Sequence, residues 1–427
     1  MYAQRRGANS TRRTFLKATG AGAAAVGASA LLPATAMADD DDDEDYDGLL
    51  VFVYDDSPAE DYSKTYRVHR EYDVPGCVAA LPGLMEGGTS DWLLPGHMQA
   101  MHQDGWEFMS HTLIHRDLGE VPVLESVEAG ETEIPVRSNL AGRFEGDPIV
   151  FIDGDNEVEA TVAGRRDGGG EDEEDDGYDD LEDEEEADET RYLILEEGLE
   201  EDISSDAVVR YTDEFTEQIL SESQEMLEGW LEDQGGVVNG YVHTYDRTEG
   251  VQNFVPQFYD SNPNARPGRG GLNPEHEPDP LSLHRAYFET DYMEDDELLD
   301  FLDSVAGEPD FGILAGHSHF STLPEERIQF AIEAALERNI KIVTMQEAMH
   351  RLGVWEVQDE QIRASMEDDG DDGTPDGDDG DANGDDDVGA AGADDDDGDD
   401  TGDVDEGGES LGLLDRILAF LRSLFGR

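Results

Sequence analysis

Apolar positions along this chain of 427 residues follow two rhythms. From residue 48 to about 120, short apolar runs alternate with segments whose apolar residues recur at helical spacing. Residues 49–54 are an unbroken apolar run that ends in two acids, which predicts a buried strand. A helix follows at 62–70, a strand at 74–81, a helix at 91–104 and a strand at 106–109. The same alternation resumes at 212–233 with a helix, then a strand at 237–243 and a helix at 248–259. Beyond a Pro/Gly/Asn-rich loop at 260–280, strands at 283–289, 311–315 and 341–344 interleave with helices at 294–305, 324–338 and 346–352. Repeated strand-then-helix units predict an α/β fold with a parallel sheet or barrel.

Between these two stretches the period changes. Residues 133–137, 149–152, 158–162, 192–195 and 208–211 are alternating, β-rich runs at hairpin spacing, so 121–210 reads as a small β module inserted into the α/β domain. Its acidic run at 167–190 has no apolar period and predicts a disordered loop. Residues 357–409, rich in Asp, Gly, Ala and Glu, read as an acidic linker. Past it, Leu414, Ile417, Leu418, Leu421, Leu424 and Phe425 share one face of an amphipathic helix within 410–427. A helix this short is marginal alone in water, and three docking partners stay open for it: a membrane surface, a partner protein or the catalytic domain.

Charge changes the picture most. Asp and Glu number 107 against 27 Lys and Arg, a formal net charge of -80. Such self-repulsion is tolerable where salt screens it: at about 1 M the Debye length is only about 3 Å. The composition is that of a halophilic chain, and with no basic stripe to meet phosphates it speaks against a nucleic-acid partner. At the N-terminus, Arg12-Arg13-Thr14-Phe15-Leu16-Lys17 resembles a twin-arginine targeting motif, followed by an Ala/Gly-rich apolar run and a small-x-small site at Ala36-Met37-Ala38. This predicts a signal peptide over 1–38, an acidic leader over 39–47, and a product exported to the cell surface or beyond. The single cysteine, Cys77, excludes an intrachain disulfide and sits in an apolar run, as a buried strand cysteine does.

The candidate chemistry lies just after strands. Asp55 and Asp56 follow the first, where parallel α/β folds place reactive groups. His111 and His115 follow the third at a spacing of four, which on a helical turn lets both reach one ion. With Asp56 they make a two-histidine, one-carboxylate set with coordination left open, suited to catalytic zinc or a similar divalent ion. His317 follows the strand at 311–315 and is a candidate general acid.

Together these residues resemble the polysaccharide deacetylase family, carbohydrate esterases with a NodB homology domain. The first motif reads Val53-Tyr54-Asp55-Asp56-Ser57-Pro58, the second His111-Thr112-Leu113-Ile114-His115, and the late one Leu314-Ala315-Gly316-His317. The resemblance covers 48–120 and 211–356, and implies a distorted (β/α) barrel. It implies Asp55 as general base, His317 as acid, and Asp56, His111 and His115 as ligands of one divalent metal, with an N-acetylated glycan as substrate. Three departures stand out. Ser57 replaces a glycine, no Trp-containing fourth motif is visible, and the third motif is Tyr241-Val242-His243-Thr244-Tyr245, with Val242 where the family has the arginine that orients the base. Tyr245 is kept, its amide a candidate oxyanion donor, and Arg247 or Arg285 is a candidate replacement for the arginine. The expected function is a metal-dependent hydrolase that removes N-acetyl groups from surface polysaccharide. The alternatives are a catalytically weak glycan-binding relative and a C–N hydrolase acting on a small molecule.

Overall fold

A computed structural model describes residues 46–167, 190–266, 271–307 and 310–368. The signal peptide, the leader up to Tyr46, nearly all of the acidic loop, the linker beyond 368 and the C-terminal helix lie outside the described residues. Within them, no helix is long and apolar enough to cross a membrane.

The barrel wall is built on β1 (Gly48–Tyr54), whose seven residues are all buried, as expected for a parallel strand covered on both faces. It is followed by a π-type turn (Asp61–Thr65) running into α1 (Tyr66–Glu71), by β2 (Cys77–Ala80), α2 (Pro82–Glu86), α3 (Pro95–Gln103) and β3 (Glu107–Ser110). The inserted module contributes β4 (Val121–Pro122), β5 (Glu133–Val136), β6 (Pro148–Asp153), β7 (Asn156–Asp167), β8 (Arg191–Leu195) and β9 (Val208–Tyr211). The barrel resumes with α4 (Asp213–Leu231), the short β10 (Asn273–Pro274) and β11 (Ala286–Tyr287), then α5 (Asp295–Gly307), β12 (Asp310–Gly316), α6 (Glu325–Glu337), β13 (Ile340–Ile342), α7 (Met345–Arg351) and α8 (Glu360–Asp368).

Parallel pairing joins β12 to β1 (Leu50↔Gly312 through Tyr54↔Gly316), β1 to β2 and β2 to β3. β13 pairs with the first residues of β1, and β11 with β12. Past β3 the wall curls on through single parallel bridges, Ser110↔Tyr241 and Gly240↔Ser261. It returns toward β11 by way of loop hydrogen bonds, from Asn262 N–H to Pro280 O at 2.7 Å and from Arg266 N–H to Leu283 O at 3.1 Å. The result is a distorted α/β barrel. The module forms a separate six-stranded antiparallel sheet in the order β4-β9-β6-β7-β8-β5.

Three segments depart from the sequence pattern. Residues 237–243 hold only the two isolated bridges rather than a strand. Residues 248–259 form two short 3-10 turns, Val251–Asn253 and Val255–Gln257, instead of a helix, because Pro256 removes a backbone donor in its middle. The linker expected from 357 begins later. Residues 357–368 stay on the domain, with Val357 and Ile362 buried and the Asp359 carboxylate 2.8 Å from His102 Nε2. Cys77 is buried in β2, as its apolar context predicts.

Candidate metal centre

All parallel strands point their C-terminal ends to one rim, and there the expected residues meet. Asp55 and Asp56 follow β1, His111 follows β3, and His317 follows β12. The backbone at this rim is unusual. Asp56 (φ 75°), Ser57 (φ 51°), Thr112 (φ 67°), His115 (φ 63°), Tyr245 (φ 55°) and Asp246 (φ 48°) all adopt left-handed conformations. Each is unfavourable by about 1–3 kcal/mol without compensation, and such residues cluster where a site over-determines them. Ser57 therefore occupies a conformation that explains the family's glycine, and its Oγ accepts the Leu81 N–H at 3.0 Å. The His111–His115 segment is a turn and not the helical turn that the spacing of four suggested. The two left-handed residues fold it so that the imidazole centroids lie 5.0 Å apart. Gly83 lets α2 approach this turn, since a Cβ there would meet Ile114 Cγ2 at 2.7 Å and Leu113 O at 2.9 Å.

Asp56 Oδ1 lies 3.4 Å from His111 Nε2 and 3.2 Å from His115 Nε2. Donor atoms about 2.0–2.2 Å from one tetrahedral ion stand about 3.3–3.6 Å from each other, so these gaps match a shared ion. The donor set also fits electronically. Both Asp56 carboxylate oxygens are buried and have no hydrogen-bond partner among the described residues, an arrangement that calls for a cation. Burial would raise the Asp56 pKa, but the neighbouring imidazoles of His115, His111 and His317 outweigh it and hold the carboxyl far below its usual range. His111 Nδ1 lies 2.9 Å from the carbonyl oxygen of Val242. A carbonyl only accepts, so Nδ1 carries the proton and Nε2 keeps its lone pair toward Asp56. Burial pushes the His115 pKa down to about 4, which also leaves that ring neutral. Asp56, His111 and His115 form the one potential metal cluster among the described residues.

Asp55 and His317 flank this set. Arg285, the residue before β11, grips Asp55 with both guanidinium arms, Nη1 to Oδ1 at 2.9 Å and Nη2 to Oδ2 at 2.8 Å. The same arginine reaches Asp246 Oδ1 at 3.1 Å and the Tyr287 hydroxyl. Despite burial, which favours the neutral form, Asp55, Tyr287 and Asp246 keep it charged. Of the two candidate arginines, Arg285 contacts Asp55, whereas Arg247 pairs with Asp117 at 2.9 Å. His317 Nε2 points inward, 4.0 Å from Asp55 Oδ2 and 3.8 Å from Asp56 Oδ2. Its Nδ1 lies 2.8 Å from Glu289 Oε1, which also accepts the His317 backbone N–H at 2.8 Å. Burial would lower the His317 pKa, but Glu289 and the two aspartates raise it to about 10. Glu289 is fully buried at the end of the β11 segment, and nothing in a chain with 107 acids marks it out beforehand.

Tyr245 turns its side chain to this cluster, with its hydroxyl 3.0 Å from His115 Nδ1.

A family model for polysaccharide deacetylase matches residues 43–134. Residues 43–134 of this chain are similar to that family. The matched span includes Asp55 and all three residues of the cluster, Asp56, His111 and His115. Comparison with curated proteins finds no match. Among solved structures, the chain is similar to the Xyl-CE4 domain of a multidomain xylanase from the hindgut metagenome of Trinervitermes trinervoides, at 12% identity and a TM-score of 0.37, covering 73% of this chain and 95% of that one. A family 4 carbohydrate esterase from Streptomyces lividans in complex with acetate aligns at 7% identity and a TM-score of 0.37, covering 70% and 94%. A CE4 family pseudoenzyme from Bacillus anthracis aligns at 9% identity and a TM-score of 0.33, covering 73% and 67%.

Proposed function

We propose that the chain is an active, metal-dependent deacetylase that hydrolyses N-acetyl groups on a cell-surface or extracellular glycan. The observation that carries this reading is the pairing of Asp55 with Arg285. The family's third-motif arginine is Val242 here, and its loss alone would favour a glycan-binding relative without activity. A guanidinium nevertheless reaches Asp55 from a different strand and holds both of its oxygens, leaving it fixed beside Asp56.

Asp56, His111 and His115 would hold one divalent ion, with zinc suited to the donors. When bound, such an ion polarises a carbonyl and acidifies water. Asp55 takes a proton from the attacking water, its carboxylate held in place by Arg285. His317, kept protonated by Glu289, donates its proton to the departing amine. The Tyr245 backbone N–H is the candidate donor to the developing oxyanion. Entry to the site is narrow, since the His115 and His317 side chains are each 19% exposed and Asp56 only 2%. That suits a small acetamido group inserted end-on from a larger sugar. A twin-arginine leader and a salt-adapted charge balance support work outside the cell in concentrated brine.

The test is acetate release from N-acetylated oligosaccharides in molar salt. Asp55→Asn should abolish release while leaving metal content unchanged. Wild-type protein loaded with metal and inert on every N-acetylated glycan tried would overturn the reading.

A further inference from the structure

The inserted β module touches the barrel at the very turn that bears the metal ligands. His115 and Thr112 hold left-handed backbone, and a turn strained in this way keeps its shape only if its surroundings impose it. For His111 the support is the barrel's own Val242 carbonyl. For His115 it comes from elsewhere, through three contacts made by the module's 140–147 turn. Phe144 forms a buried apolar cluster with Leu113 and Ile114, two of the three residues between the histidines. Asp147 holds Arg116, the residue after His115, with Nε to Oδ2 at 2.7 Å and Nη2 to Oδ1 at 3.3 Å, and the Arg116 guanidinium lies 4.5 Å over the Phe144 ring. Arg143 Nη1 donates to the Tyr245 hydroxyl oxygen at 3.3 Å, and that oxygen lies 3.0 Å from His115 Nδ1.

We propose that this turn of the inserted module is a built-in part of the metal centre, and that Arg143 is a positioning residue that holds Tyr245 and, through it, the imidazole of His115. The proposal rests on reading Asp56, His111 and His115 as a metal site. When Nε2 of His115 faces an ion, Nδ1 carries the proton and donates to the Tyr245 oxygen. Arg143 pins that oxygen from the module side, so the ring keeps the tilt at which its Nε2 meets Asp56. Tyr245 and His115 lie with centroids 4.5 Å apart and planes at 50°, a contact that fixes the two rings together. Partners behind a ligating histidine commonly set metal affinity by about 10- to 100-fold.

The experiment uses the full-length protein with zinc or cobalt(II) as the only probe. Zinc affinity is read by competition with a chromophoric chelator, and ligand geometry by the visible spectrum of the cobalt-loaded protein. Arg143→Ala and Tyr245→Phe should each weaken zinc binding about 10- to 100-fold and shift the cobalt bands in the same direction. The double variant should be no weaker than Tyr245→Phe alone. Arg143→Lys should restore part of the affinity, and Glu159→Gln, on the exposed face of the module, should behave as wild type. Folded Arg143→Ala with wild-type affinity and an unmoved cobalt spectrum overturns the proposal. So does a variant that merely melts earlier while its cobalt spectrum stays the same. Failure of the wild type to bind any ion stoichiometrically sinks the metal reading itself, which is a separate and recognisable outcome.

Discussion

Replacing Arg285 with lysine keeps a positive charge near Asp55 but removes the fork. In the native site Arg285 makes two bonds to Asp55, one to Asp246 and one to Tyr287. A single ammonium on a flexible stem cannot span both Asp55 oxygens and still reach the other two groups. If about two of the four bonds are lost, at about 1.5–3 kcal/mol for each charge-assisted bond, the gross loss is about 3–6 kcal/mol. Relaxation and water recover part of this, so about 3 kcal/mol is the expected destabilisation. For a domain of this size that corresponds to a Tm lower by roughly 6–12 °C. Activity should fall further than stability, because a base displaced by even about 1 Å loses about 10²-fold. The assay is kcat/KM for acetate release beside thermal unfolding, in wild type and in an Asp55→Asn background. In that background Arg285→Lys should cause no further loss of activity. Arg285→Lys with kcat/KM within about threefold of wild type would refute the claim that this arginine stands in for the missing third-motif residue.

Other perturbations report on different parts of the structure. Glu289→Gln keeps an acceptor for His317 but removes the charge, and should lower kcat about 10²-fold with metal content unchanged; loss of metal instead would show a different role. His111→Ala should reduce bound metal from about one per chain to near zero, measured by elemental analysis, and addition of a chelator should lower the wild-type Tm but not that of the variant. Glu107 gives a pH test away from the site. Burial pushes its carboxyl up to about 8, with the Asp359 charge adding to the rise and a hydrogen bond from the Gln346 N–H opposing it. Between the ordinary glutamate range near pH 4.5 and pH 8 the native state holds one more proton than the unfolded chain, so stability from this group falls as pH rises. Glu107→Gln should flatten that decline, by on the order of 4 kcal/mol across the window, in denaturant titrations at fixed high salt; an unchanged slope would contradict the burial argument.

Much of this fold is visible in the linear pattern, because strands buried on both faces read as unbroken apolar runs and the inserted module reads as alternation. The His111/His115 pair and the Asp55/Asp56 pair were legible for a related reason, since each follows a strand end and histidines are few. Segments whose structure depends on distant partners were not legible. Val251, Phe254 and Val255 have helical spacing, yet Pro256 leaves room only for 3-10 turns. Residues 357–368 look like the start of an acidic tail, but Asp359 is drawn onto the barrel by His102, which lies 257 positions away in sequence. Glu289 belongs to the same class, whereas Arg285 was legible as one of two candidate arginines and only its partner was not. Glu289 is an ordinary acid until the curl of the wall sets it against His317, and the sequence holds no local signal for that.

β4 leaves the barrel and β9 returns to it as hydrogen-bonded neighbours, with Val121 opposite Val209. Departure and return are therefore one strand-width apart, and the whole excursion is a side loop that the barrel's connectivity does not register. An ancestor could acquire it in a single recombination event without rethreading any other segment. Its 140–147 turn, however, lands on the loop that carries His111 and His115, so acquisition would have changed the surroundings of that loop in the same step. A barrel from which the excursion was cut would have to brace that loop by other means.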